Sequence, residues 1–158
     1  MLSAEAAPVN TYIVESTRLP GETTTAIAGH VATEVTQMNT NPPEEVMLSM
    51  GSNNICWAQV SLEADYTTIL DALHTAWPTA RLFVTRSWIR GYDACADTHA
   101  TAVDAVLVGR GAYAFVGPDE RVILKGADNG ATNTTDGVHP SPAGSAALAA
   151  DWITRLGY

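Results

Sequence analysis

A chain of 158 residues can bury one real core and is too short for two ordinary domains, so residues 1–158 are read as a single domain. Hydrophobic residues at 46% and charged residues at 16% exclude intrinsic disorder. Acids outnumber bases 17 to 8, and the formal charge of −9 argues against a nucleic-acid or anionic-membrane surface, because both need clustered Lys and Arg.

Residues 1–10 carry neither a basic flank nor an apolar stretch, so no signal peptide is expected there. Residues 12–15 (YIVE) read as a strand, 18–24 (RLPGETT) as a turn, and 23 to about 38 as a helix. The NTNPP stretch at 39–43 must end that helix, since neither proline fits a helix interior. Residues 46–50 (VMLSM) read as a buried strand that runs into the GSNN turn at 51–54. Ser61 stands where it would cap a second helix, with Glu63 and Asp65 in the first turn. Leu62, Tyr66, Ile69, Leu70, Leu73 and Trp77 then recur at helical spacing until Pro78 stops the pattern. Residues 81–85 (RLFVT) are the next strand, 87–97 a loop, and 98–110 an alanine-rich helix. Two short strands are expected at 113–116 and 121–124, around a Gly117-Pro118-Asp119-Glu120 turn. Residues 126–139 form a polar loop. Ser141 caps a last helix with Pro142 at its first position and Leu148, Trp152 and Leu156 as its apolar stripe. No apolar run is long enough to span a membrane.

Short strands separated by helices predict an α/β domain, an open three-layer α/β/α arrangement on a parallel sheet. Function in such sheets sits in loops at the carboxyl ends of the strands. Three loops qualify: 18–24, 51–56 and 126–139.

The third loop carries the strongest signal, Asp136-Gly137-Val138-His139-Pro140, followed by Ser141-Pro142-Ala143-Gly144. An Asp three residues before a His can accept a hydrogen bond from imidazole Nδ1, which fixes the tautomer and leaves Nε2 as a general base. A polar loop that merely contains both residues would read the same way. In the second loop, Gly51-Ser52-Asn53-Asn54 could aim the Asn53 amide at a developing oxyanion, although Gly and Asn are common at any strand-to-turn junction. In the first, Gly21 could offer its N–H at a helix N-terminus, although taken alone a plain glycine turn with threonine caps explains it better.

Taken together and in order, these boxes resemble the SGNH (GDSL-type) hydrolases, over residues 12 to 156. The family carries a glycine after its second strand, a GxND box after its third and a DxxHP box before its last helix. Here the boxes read RLPGETT, GSNNI and DGVHPSPAG. The resemblance implies a flavodoxin-like sheet and a serine esterase mechanism with no metal or organic cofactor. It makes His139 the base, Asp136 its orienting acid, and the Gly21 N–H and Asn53 amide two donors of an oxyanion hole. Trp57 and Trp88 fall near this site and could wall a pocket for an acyl group or a sugar.

One box is missing. The family places a GDS nucleophile motif at the end of its first strand, and this sequence has no Gly-Asp-Ser. Ser16 is the nearest imitation, but using it would leave no room for a second strand before Val46. The first strand is therefore expected to be missing from the chain, with its helix a loss of roughly 20 to 40 residues. Three remedies stay open: another polypeptide or a second copy supplies the strand, the flanking strands pair directly, or the chain is the carboxyl part of something longer. Asn54 also departs from the family's usual Asp, which puts loop hydrogen bonding in doubt.

Two functions follow as expectations. One is an ester hydrolase acting on a small ester or an acylated carbohydrate, with its serine supplied from elsewhere. The other is a catalytically inactive structural or carbohydrate-binding module. Cys56 and Cys95 follow strands that would be neighbours, so they could form a disulfide bracing the loops and pointing to an oxidising compartment. They are too few for a disulfide scaffold. A metal site from Cys95, Asp97 and His99 would need three ligands from one short stretch, which is poor geometry. His30 and His74 read as ordinary mid-helix residues.

Overall fold

The structure is a computed structural model, and it describes residues 21–38 and 42–158. The expected strand at 12–15 lies outside them. Helix α1 (Thr24–Met38) leads to β1 (Glu45–Leu48), α2 (Gln59–Ala76), β2 (Arg81–Arg86) and α3 (Asp93–Leu107). Strand β3 (Ala114–Asp119), the short α4 (Glu120–Ile123) and α5 (Pro142–Leu156) complete the order. The strands form one parallel sheet in the order β1-β2-β3.

Alternation along β2 builds the layers, because successive side chains leave a strand on opposite faces. Leu82 and Val84 point into a core shared with Val46, with Val31 and Val35 of α1, with Leu62, Ile69, Leu70 and Leu73 of α2, and with Val103 and Val106 of α3. Phe83 faces the other way, toward Phe115 and the indole of Trp152 on α5. Helices α1 to α3 thus cover one face and α5 the other, which is the three-layer α/β/α arrangement. Each fully buried Leu or Ile of α2 contributes about 1.5–3 kcal/mol by leaving water. Among the described residues, β1 pairs on one side only, although Glu45 and Val46 are buried.

Three expectations are corrected. Helix α2 begins at Gln59, with Ala58 as its N-cap, so Ser61 lies inside the helix and caps nothing. Helix α3 begins at Asp93 inside the expected 87–97 loop, where Asp93 suits the first turn and its carboxylate accepts the Trp88 indole N–H at 2.8 Å. The third is the turn at 117–120. Strand β3 continues through Gly117 and Pro118, and the expected strand at 121–124 is helical. Pro118 is tolerated because β3 lies at the sheet edge. Gly117 is required because a Cβ there would stand 2.9 Å from Trp152. The Asp119 carboxylate then accepts the Arg121 N–H at 3.0 Å and starts the helix.

Candidate active site

Residues 21–24 of the first loop, with the second and third loops, lie at the carboxyl ends of the strands. The first two are locked together. Asn53 donates an amide N–H to the Glu22 carbonyl at 2.8 Å, which leaves its second amide N–H for another acceptor. Asn54, 2% exposed, accepts the Thr24 N–H through Oδ1 at 3.2 Å and donates through Nδ2 to Thr24 Oγ1 at 2.7 Å. The residue that departs from the usual Asp therefore supplies a donor and an acceptor to the joint. Gly21 is exposed, has φ +84°, and stands at the mouth of α1.

The second loop rests on a buried polar pillar. The Met50 carbonyl accepts the Tyr66 hydroxyl at 2.9 Å and the Ser87 hydroxyl at 2.8 Å. Tyr66 Oη also lies 2.8 Å from Nε2 of His99. Gly51 has φ +101°, and a Cβ on it would stand 2.3 Å from His99 Nε2 and 2.7 Å from Tyr66 Oη. Only glycine can sit there. Burial pushes the Tyr66 phenol up and the His99 imidazole down to about 4, with the Arg121 charge adding to the latter. Both groups are therefore neutral near pH 7.

A disulfide joins the second loop to α3, Cys56 to Cys95, with 4.6 Å between their Cα atoms. The bridge takes Cys95 out of any metal site. Asp97 pairs with Arg121 and His99 with Tyr66, so the Cys95, Asp97 and His99 set is not a ligand cluster. Among the described residues, no group of three or more His, Cys, Asp or Glu side chains gathers as a metal site. His30 bonds Glu22 and Glu34, and His74 stacks on Tyr113.

In the third loop, one carboxylate oxygen of Asp136 accepts the N–H groups of Val138 at 2.9 Å and His139 at 2.8 Å. The other lies 2.7 Å from His139 Nδ1. The His139 N–H, then its ring, then the Val138 N–H hold the Asp136 carboxyl well below the usual carboxylate range. An ionised carboxylate only accepts, so Nδ1 carries a proton, and in the neutral imidazole that leaves the lone pair on Nε2. The imidazole is 77% exposed, and among the described residues no hydrogen bond reaches Nε2. The loop is closed by Thr135 N–H to the His139 carbonyl at 2.8 Å and by Ser141 N–H to the Asn133 carbonyl at 3.0 Å. Ser141 caps α5 through Gly144 N–H at 3.2 Å. Gly144 is needed because a Cβ there would lie 2.0 Å from the Asn133 carbonyl oxygen.

Trp57 is 41% exposed beside Cys56, on the rim with Tyr92 at 52% and Val138 at 39%. Trp88 is corrected. It is 1% exposed, packed with Ile55, Ala96 and Leu124 beneath the loops. A side chain with no open face cannot wall a pocket. Ser16 lies outside the described residues. Sequence reasoning missed the pillar, because Tyr66 reads as one more apolar stripe residue and His99 as one of three residues in a stretch of poor ligand geometry. It also missed Arg90, which bonds main-chain carbonyls and leaves no motif.

No protein-family model matches the sequence, and no curated protein matches it. Solved structures do. An acetyl esterase, a serine-to-alanine mutant with an acetate ion, is similar at TM-score 0.71 and 20% identity, over 86% of this chain and 67% of its own. A family 3 carbohydrate esterase from Talaromyces cellulolyticus gives 0.70 and 23% over 86% and 67%. A GDSL-like lipase from Bacteroides thetaiotaomicron gives 0.66 and 14% over 86% and 71%. The chain has the fold of the SGNH (GDSL-type) hydrolases. It spans about two thirds of the length of these SGNH-fold structures. Its loops 21–24, 51–54 and 136–139 occupy the carboxyl-end rim where an open α/β sheet places its ligands.

Proposed function

We propose that this chain works as an SGNH-type ester hydrolase in which His139 is the general base. The observation that carries the reading is the Asp136–His139 pair, joined at 2.7 Å with Nε2 open to solvent on the rim. A serine hydroxyl would give its proton to Nε2 as its oxygen attacks the acyl carbonyl. The Asn53 amide, the Gly21 N–H and the serine's own N–H would hold the oxyanion. His139 would then return the proton to the leaving alcohol, and water would release the acid by the same route. The serine would come from outside the described residues: from residues 1–20, from a second polypeptide or a second copy, or from a longer chain of which these residues are the carboxyl part. The exposed Trp57 and Tyr92, together with the acetyl and carbohydrate esterases among the similar structures, favour a small acyl ester on a carbohydrate as the substrate class.

The second reading is a catalytically inactive carbohydrate-binding or structural module. One observation favours it: among the described residues no hydroxyl bonds His139 Nε2. A fluorophosphonate probe, which labels only an activated serine, separates the two. The hydrolase reading predicts a covalent adduct on one serine peptide, hydrolysis of p-nitrophenyl acetate, and loss of both in His139→Ala. A wild-type protein that takes no label and turns over no ester, alone or with its partner polypeptide, contradicts it and leaves the binding module.

A further inference from the structure

We propose that Arg90 is a positioning residue for the Asp136–His139 pair. It lies in the loop after β2, and its main-chain N–H donates to the Gly137 carbonyl at 2.8 Å. Its side chain crosses to the opposite arm of the same loop. Nε donates to the Asn129 carbonyl at 3.0 Å, and Nη2 donates to the Gly130 carbonyl at 2.6 Å and to Thr134 Oγ1 at 3.0 Å. Thr134 Oγ1 accepts the Gly137 N–H at 3.1 Å and donates to Gly130. One residue thus spans both arms of the 129–137 segment, and Gly137 sits between Asp136 and the two residues whose N–H groups Asp136 holds.

The backbone shows why a cation is needed. Asn129 has φ +54° and Gly130 φ +79°, and Asn129 is the one non-glycine residue with positive φ among the described residues. Two successive left-handed residues turn neighbouring carbonyls toward one point, a strained arrangement. A guanidinium at that point donates to both oxygens through a fixed fork, which an ammonium cannot reproduce. Gly137, at φ +92°, has no space for a side chain, because a Cβ there would stand 2.9 Å from Arg90 Cβ. The arginine stem is therefore the floor of the Asp136–His139 turn, and its head is the clamp. It holds loop backbone and Thr134, so it acts through His139 and not on a substrate.

The catalytic meaning of this clamp rests on the ester-hydrolase reading, but the clamp is read out without turnover. Nitrogen-15 NMR of the full chain reports the His139 tautomer, and amide exchange reports the Val138 and His139 N–H groups. In Arg90→Ala the Nδ1–H form gives way to a mixture and both amides exchange at least about tenfold faster, with the signals of the Phe83 core unmoved. Arg90→Lys falls between, since one ammonium satisfies one carbonyl at a time. Should Arg90→Ala fail to fold, Arg90→Lys and Thr134→Val carry the same signature. In an active protein the same variants lower kcat with KM little changed. A wild-type His139 tautomer and unchanged amide exchange in the folded variants overturn the proposal. An inactive wild type overturns the hydrolase reading alone.

Discussion

At the scale of single residues, the site depends on where hydrogen-bond donors and lone pairs point. On the ester-hydrolase reading, Asn53→Ala removes one oxyanion donor and should lower kcat by about two to three decades while KM stays near its original value. Steady-state kinetics on a short p-nitrophenyl ester checks this. The two loop glycines differ sharply. Gly51→Ala drives a Cβ into His99 and Tyr66, and with its left-handed backbone should cost on the order of 2–5 kcal/mol in urea unfolding. Gly21→Ala meets nothing within 4 Å and pays only about 1 kcal/mol for its φ. The Asp136 and His139 signal is legible because the chemistry is local: donor and acceptor stand three positions apart. Arg90 was not, since its partners stand about forty positions away and are mostly carbonyls that every residue owns.

At the scale of elements, periodicity decided well and boundaries poorly. The stripe from Leu62 to Leu73 is buried as its spacing demands, because that spacing is the helix's own repeat. The start of α2 was misread because Ser61 can cap a helix but need not, and here the backbone turns at Ala58 without a side-chain cap. Residues 121–124 were read as a strand on hydrophobicity, and the Asp119 cap overrode it. The Cys56–Cys95 bridge was one of several readings of two cysteines, since spacing along a chain says little about contact in space. It closes a separation of 39 residues and ties the second loop to α3. Replacing both cysteines by serine should lower stability by about 2–4 kcal/mol, measured by urea unfolding. The midpoint should shift toward that of the reduced wild type.

At the scale of the molecule, the alternation of strands and helices carried the architecture, and the parallel sheet with helices on both faces follows from it. What alternation cannot show is which titratable groups the fold buries. Two oppose each other. His99 is lowered from 6.5 to about 4, chiefly by burial, so the unfolded chain takes up its proton first. The stability it permits is complete above pH 6.5 and is lost as pH falls through 4, on the order of 3 kcal/mol. Glu120 is raised from 4.5 to about 7, first by burial, against the opposing Trp88 N–H bond. Its contribution is complete below pH 4.5 and is lost as pH rises through 7. The two cancel between about pH 4.5 and 6.5, where their summed stability is flat. Chemical denaturation across pH should show Glu120→Gln abolishing the loss on the alkaline side and His99→Gln the loss on the acid side. Matching profiles in wild type and variants would show that neither group is buried as described.

The proposed hydrolase requires that the Asp136–His139 pair and the Asn53 amide face one acyl site. A crystal structure of the protein, with any partner that completes it, treated with a fluorophosphonate tests this most directly. The expected result is a phosphonyl oxygen within about 2.7–3.1 Å of Asn53 Nδ2 and of the Gly21 nitrogen. His139 Nε2 should lie at hydrogen-bond distance from the labelled serine oxygen. An adduct whose oxygen points away from Asn53, or an imidazole turned from the adduct, would contradict it.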